Sequence, residues 1–251
     1  MGKGSEIRVG TSGWSYPHWR QVFYPAGLPQ GEWLRHYARR LNSVEINNTF
    51  YALPPARTLR QWREEVPAGF VFAVKGSRYI THMRKLREPR ASTAAFLRRI
   101  RVLGDRCGPV LFQLPPRWRC DPERLRRFLE ALPRTHRYAF EFRDRSWHRA
   151  DVYRLLERHH AAFCIYDLAG FTSPRAITTD FAYVRLHGPD GPYRGSYGDR
   201  ALDDWARVLS DWHDAGLDCY CYFDNDEQGY APMNALALQG RLGDRALPRA
   251  G

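Results

Sequence analysis

Short apolar or alternating runs recur along the chain, and most are followed by a stretch with helical spacing. The runs cover residues 7–14, 43–51, 70–77, 109–115, 138–144, 162–167, 181–188 and 218–226. Each is rich in β-branched or aromatic residues, the composition of a strand. Apolar positions three and four apart predict helices over 32–41, 58–66, 93–103, 151–160, 202–215 and 232–242. Asp121 followed by Pro122 adds another helix start, because Asp caps free amides and Pro suits a first turn. Between Asp167 and Phe181 no helical spacing is present, so that crossover is read as a loop. About eight strands alternating with helices predict an α/β fold: a single (β/α)8 barrel of the TIM type, irregular between its sixth and seventh strands.

Period-two alternation then assigns the faces of each strand. Tyr138, Phe140 and Phe142 share one face, and Ala139, Glu141 and Arg143 the other. Val184 and Leu186 oppose Tyr183, Arg185 and His187. Ser43, Glu45 and Asn47 oppose Val44 and Ile46, Lys75 opposes Val74, and Gln113 opposes Phe112 and Leu114. In a barrel the apolar face packs on the helices, so the polar face points to the axis. On the last strand either Tyr222 and Asp224, or Cys221 and Asn225, point inward. Charged residues sit at the downstream ends of successive strands, where the mouth of a parallel barrel is built.

Length and apolar content fit one barrel-sized domain, with 251 residues of which 43% are hydrophobic. No uninterrupted apolar stretch of about 20 residues is present, which argues against a membrane span. The start, MGKGSEIRVG, lacks an apolar signal core, and the expected location is cytoplasmic. The five cysteines lack metal or redox spacing and read as reduced thiols. Residues 243–251 read as a flexible tail. The net charge of +12 favours an anionic small molecule or nucleic acid as partner, although a general preference for Arg explains it equally well. Lysine occurs only at positions 3, 75 and 85, so a Lys at a strand end invites a chemical reason.

Glu45, Lys75, Gln113, Glu141, Arg143, Arg185 and His187 are thereby expected to converge in one cup, either as an internal salt-bridge network or as a working site. Four are candidate catalytic groups. Histidine is the side chain whose ordinary titration lies nearest neutral pH, so His187 suits a general acid or base. Lys75 is a base, a Schiff-base amine or a fixed positive charge. Glu45 and Glu141 are a candidate carboxylate pair. Gln113, Asn47, Arg143 and Arg185 are candidate substrate ligands, the arginines for bidentate binding of phosphate or carboxylate. Loop residues Trp14, Tyr193, Tyr197 and Asn225 join them, with wedging of the loop the competing role for Trp14. No cofactor is required; a divalent metal is an alternative, with Asp167 and Asp224 as candidate ligands beside Glu45, Glu141 and His187.

The segments GTSGW (from Gly10), EINNTFY (from Glu45), FQLPP (from Phe112), EFR (from Glu141), RLHG (from Arg185) and YFDND (from Tyr222) resemble the YecE-like family, a domain of unknown function. With the Lys75 strand they span nearly the whole chain. The resemblance implies a TIM barrel and no settled activity. The residues themselves favour acid/base hydrolysis or phosphodiester cleavage of an anionic substrate. The alternative is a non-catalytic nucleic-acid-binding protein with a basic, aromatic rim; a purely structural barrel is the third class.

Overall fold

The computed structural model describes residues 4–246. Nine strands occur in the order β1 (Ile7–Thr11), β2 (Ser43–Ile46), β3 (Val71–Lys75), β4 (Cys107–Leu114), β5 (Tyr138–Phe142), β6 (Ala161–Leu168), β7 (Phe171–Thr172), β8 (Phe181–Leu186) and β9 (Asp218–Phe223). Eight of them pair in parallel in the spatial order β1-β9-β8-β6-β5-β4-β3-β2, and only the two-residue β7 lies off this path. Among the described residues seven α-helices accompany them, six between strands and the last after β9: α1 (Trp33–Ala38), α2 (Ala56–Glu65), α3 (Pro89–Ile100), α4 (Pro122–Ala131), α5 (Ala150–Arg158), α6 (Asp199–Asp214) and α7 (Tyr230–Leu242). The predicted α/β barrel is the observed fold. Asp121 caps α4, its side chain accepting from the Arg124 amide at 3.0 Å.

The ring closes unusually between β1 and β2. There the backbone ladder is nearly absent, and side chains stand in for it. Asn42 accepts from the Val9 amide and donates to the Ile7 carbonyl, each at 2.9 Å. The Tyr37 hydroxyl accepts from the Thr11 amide at 2.9 Å and donates to the Ser43 carbonyl at 3.0 Å. A Cβ on Gly10 would lie 2.0 Å from the Ser43 carbonyl oxygen, so the two strands meet this closely only with glycine there. At the mouth the Gly13 amide donates to the Glu45 carbonyl at 2.8 Å.

The expected helix-free crossover is present between β6 and β8. In place of a helix, β7 turns back on β6, and the following segment lies along β6. Ser173 Oγ accepts from the Tyr166 amide at 2.9 Å, and Thr178 Oγ1 accepts from the Phe163 amide at 2.8 Å. Side chains thus satisfy strand amides that a buried backbone cannot leave unpaired.

Two apolar layers follow the alternation. Val44, Phe72, Phe112, Phe140 and Val184 pack against the helices in the main core. Ala139, Cys164, Phe181, Tyr183 and Tyr222 fill the inside of the barrel below its mouth. Tyr222 therefore points inward, and Cys221, in the outer core, does not. The strands stop earlier than the sequence runs: β2 ends at Ile46 and gives way to a 3-10 turn at Asn48–Phe50, and β9 ends at Phe223. The basic stretch after β3 is partly helical, with a π-helical turn at Tyr79–Met83. The expected tail is also corrected in part. Residues 243–245 form a 3-10 turn, and Ala246 is buried, its carbonyl accepting from Asn42 and Gln239. Residues 247–251 lie outside the described residues. All five cysteines are free thiols. No helix among the described residues is long and apolar enough to cross a membrane.

Candidate functional site at the barrel mouth

The inward positions of β2, β4, β5, β8 and the end of β9 bring the predicted charges together. Arg185 is at their centre and is fully buried. One of its terminal nitrogens donates to Glu141 Oε2 at 2.8 Å. The other donates to Glu45 Oε1 at 2.8 Å and to Asp224 Oδ2 at 3.0 Å. One guanidinium thereby bridges three carboxylates drawn from three strands, a geometry its planar fork permits.

The carboxylates have further donors. Glu45 accepts from Ser12 Oγ at 2.7 Å and from the Tyr183 hydroxyl at 2.6 Å. Glu141 accepts from Gln113 Nε2 at 2.9 Å and from Arg143 Nε. Gln113 and Glu141 are directly paired across β4 and β5, which explains their contact. Burial alone would raise the pKa of Glu141. Arg143 and Arg185 outweigh it and hold this carboxyl well below its usual range. Asp224 is likewise held low, Arg185 and His187 overcoming its burial.

His187 is fully buried in this network. Its Nδ1 lies 3.0 Å from Asp224 Oδ2. Its Nε2 faces nitrogens of Arg143 at 3.0 Å and Arg185 at 3.3 Å, both obligate donors. Nε2 also lies 3.4 Å from Glu141 Oε1. Both ring nitrogens are occupied, as are the oxygens of Glu45 and Glu141. These groups form a rigid floor.

Above the floor opens a cavity of about 580 Å³. Lys75, His82, Arg143 and Arg145 line it with Gln113. Phe50, Tyr51, Tyr166, Phe171 and Tyr193 form its aromatic walls, and no Asp or Glu lines it. Arg143 lies 5.3 Å from the Tyr166 ring centroid and Arg145 4.2 Å from that of Phe171. Lys75 is nearly buried, and its Nζ sits 4.7 Å from the Phe50 ring centroid. Among the described residues neither Lys75 nor Arg145 has a carboxylate partner. Burial, reinforced by the charge of Arg185, lowers the pKa of Lys75 from 10.5 to about 8.

Several expected ligands sit elsewhere. Trp14 packs edge-on against Trp62 at 4.8 Å and, with Asn47, lines a separate cavity of about 440 Å³ beside α1 and α2. Both lie just beyond the end of a strand, Trp14 after β1 and Asn47 after β2. Tyr197 is buried; its hydroxyl donates to Asp167 at 2.8 Å and accepts from the Gly188 amide at 3.0 Å. Asn225 is buried too, donating to the Gly195 carbonyl and to Asn234 Oδ1, both at 2.8 Å. Tyr197 and Asn225 shape the loop after β8 and do not reach the mouth. Tyr193 does reach it, half-exposed, with its ring 5.9 Å from that of His187.

A divalent metal does not fit this arrangement. Arg185 fills the centre of the three carboxylates, where a cation would be repelled. Asp167 is turned to Tyr197 and Thr172. Among the described residues no group of three or more His, Cys, Asp or Glu is placed to hold an ion. Sequence reasoning missed Ser12, Phe50, Tyr166 and the role of Tyr183. Tyr166 was accessible from alternation in β6, where it shares a face with Cys164; Ser12 and Phe50 lie beyond their strands and carry no such signal.

The family model described as "Protein of unknown function DUF72" matches residues 8–250. The chain belongs to this DUF72 family. A curated relative, the UPF0759 protein YunF of Bacillus subtilis, is 26% identical over 92% of this chain and 93% of its own length. The UPF0759 protein YecE of Escherichia coli is 35% identical, over 55% of this chain and 48% of its own. Among solved structures, a DUF72 family protein from Thermotoga maritima superposes with a TM-score of 0.86 at 28% identity, covering 94% of this chain and 99% of that one. A DUF72 family protein from Enterococcus faecalis, 19% identical with a TM-score of 0.82, shares the fold. The family carries no assigned activity, so the DUF72 mouth has to be read from its own chemistry.

Proposed function

We propose that the protein is an enzyme acting on a small anionic molecule with a planar part, bound in the barrel mouth, with Lys75 as the proton-transferring or nucleophilic group. The observation that carries this reading is the composition of the cavity. Three cations and a histidine face it, aromatic rings wall it, and no acid lines it. Arginine forks suit phosphate or carboxylate, and flat rings suit a conjugated body. Lys75 brings an amine to that cavity and has neither a hydrogen bond nor an ion pair among the described residues.

Hydrolysis or phosphodiester cleavage with His187 as base has less support. Its Nε2 already faces two arginines and Glu141, and its Nδ1 faces Asp224. Glu45 and Glu141 would have to exchange protons while held by Arg185. The buried network acts instead as a scaffold that fixes Arg143 and sets the field around Lys75.

Calorimetric titration with inorganic phosphate and with phenyl phosphate tests the reading. Micromolar to millimolar binding is expected, with phenyl phosphate the tighter of the two. Arg145→Ala should weaken both about tenfold, or about 1.4 kcal/mol. Absence of binding by either anion at millimolar concentration would remove this reading.

One observation favours a second reading, single-stranded nucleic acid held across the same rim. Tyr51 is 72% exposed at the cavity edge, with the Arg78 guanidinium 5.9 Å from its ring centroid. A base can stack on such a ring while cations track the backbone. Affinity that falls steeply with salt and is lost in Tyr51→Ala would select it.

A further inference from the structure

We propose that Lys75 forms an imine with an aldehyde or ketone group of the bound anion. The inference rests on the anionic-substrate reading above and adds the functional group that the substrate must carry. Four observations lead to it.

Lys75 lies at the end of β3, buried to 6% exposure, with its Nζ facing the cavity and the ring of Phe50. A lysine kept only to hold the fold would be expected to reach a carboxylate. Here Glu45, Glu141 and Asp224 all lie in the floor, yet Arg185 takes them, and among the described residues no carboxylate pairs with the amine. Burial, reinforced by the charge of Arg185, disfavours the ammonium form. Asp224, Glu45 and Glu141 offset this only in part, and the amine is half free near pH 8. At pH 7 that gives roughly three hundredfold more free amine than a lysine of ordinary pKa.

Arg143 and Arg145 flank the same cavity and can hold an anionic group while the amine meets a carbonyl. His82 lines it as well, its Nδ1 held 2.9 Å from Thr81 Oγ1. Burial, with Lys75 and Arg78 nearby, lowers the His82 pKa, so this ring is neutral near pH 7 and adds no further fixed charge beside the amine. The step balances without any added reagent. The free amine adds to the carbonyl carbon, and one proton passes from nitrogen to oxygen. The C–O bond then breaks, oxygen leaves as water with the second amine proton, and a C=N bond remains. The imine so formed draws electrons from the adjacent carbon, the usual purpose of a lysine nucleophile.

The chain offers an internal control, since its lysines are at positions 3, 75 and 85 only, and Lys85 is exposed. Pyridoxal 5′-phosphate is a suitable probe: it carries an aldehyde, a flat ring and a phosphate. Incubation followed by sodium borohydride, which reduces an imine to a stable secondary amine, should leave the added mass on the Lys75 peptide. Labelling should rise with pH through a midpoint near 8 and vanish in Lys75→Arg. Arg145→Ala, which retains the amine, should slow it about tenfold and covers the case in which the first variant does not fold. Glyoxylate run in parallel reports whether a carboxylate serves as well as a phosphate.

Pyridoxine 5′-phosphate, which has an alcohol in place of the aldehyde, separates the two readings. If it binds the cavity but the aldehyde labels Lys75 no faster than Lys85, the imine is overturned and the anion site stands. If neither compound binds, both fall.

Discussion

Replacing Arg185 by Met tests the account of the floor most directly. The side chain has similar reach and no charge, so Glu45, Glu141 and Asp224 would lose their common counter-ion while staying buried. At an effective dielectric of about 20 and a charge separation of about 4 Å, each pair attracts by about 4 kcal/mol. Desolvation of the guanidinium offsets much of that sum. Truncating one partner of a buried ion pair nevertheless costs about 3–5 kcal/mol, because the abandoned charges remain inside. That is a large part of the 5–15 kcal/mol typical of a folded domain. Equilibrium urea unfolding of wild type and variant measures it. The pH dependence supplies the stronger check. In the wild type Glu141 and Asp224 are held below their ordinary values, so their contribution is present above about pH 5 and is lost as pH falls through the folded values. In the variant the same carboxyls, buried without Arg185, rise above their unfolded values. They then favour the folded state as pH falls. The stability gap should therefore be widest near pH 7 and shrink below about pH 5. A gap under 1 kcal/mol, or one that stays constant from pH 7 to pH 4, would refute the idea that Arg185 neutralises this cluster.

Lys75→Met should stabilise the protein at pH 7 by up to about 3 kcal/mol, since the folded state depresses this amine from 10.5 to about 8. Because the unfolded chain binds the extra proton between those values, wild-type stability rises over pH 8 to 10.5 and the advantage of the variant disappears above it; a thermal-melt series across this range reads the crossing. Tyr37→Phe removes the hydroxyl shared by the Thr11 amide and the Ser43 carbonyl, leaving two buried backbone groups short of a partner at a cost of about 2–4 kcal/mol. Hydrogen exchange should show that loss first at the Thr11 amide; uniform acceleration over the barrel would contradict a local role. Gly10→Ala should be worse than Tyr37→Phe, since its methyl would meet the Ser43 carbonyl oxygen at 2.0 Å, and soluble expression is the simplest readout.

The barrel itself was legible because strand alternation is strong where one face meets helices and the other meets the axis. Glu141 and Arg185 could be aimed inward from their neighbours Phe140, Phe142, Val184 and Leu186 alone. What alternation could not carry is the region after each strand ends. Asn47 and Trp14 look like continuations of the pattern, but the backbone has already turned there, and they line a different cavity. The Tyr197 hydroxyl and the Asn225 amide nitrogen would suit a ligand, yet they are spent on backbone, on Asp167 and on Asn234. The partner of each charge was also hidden. A sequence places Arg185 and Lys75 on one face without saying which of them takes the carboxylates, because that depends on barrel stagger and side-chain reach. The absence of a helix between β6 and β8 was visible; the Ser173 and Thr178 hydroxyls that satisfy β6 were not.

The junction of the first two strands has a bearing on how the molecule is made. Its partners Gly10, Tyr37 and Asn42 all leave the ribosome early, but β1 gains a full backbone ladder only from β9, at residues 218–223. Until that last strand emerges, β1 is moored to the growing sheet by a few side chains. Ring closure is thus a late event in synthesis, and the polar floor, which draws on Ser12, Arg185 and Asp224, is assembled last of all.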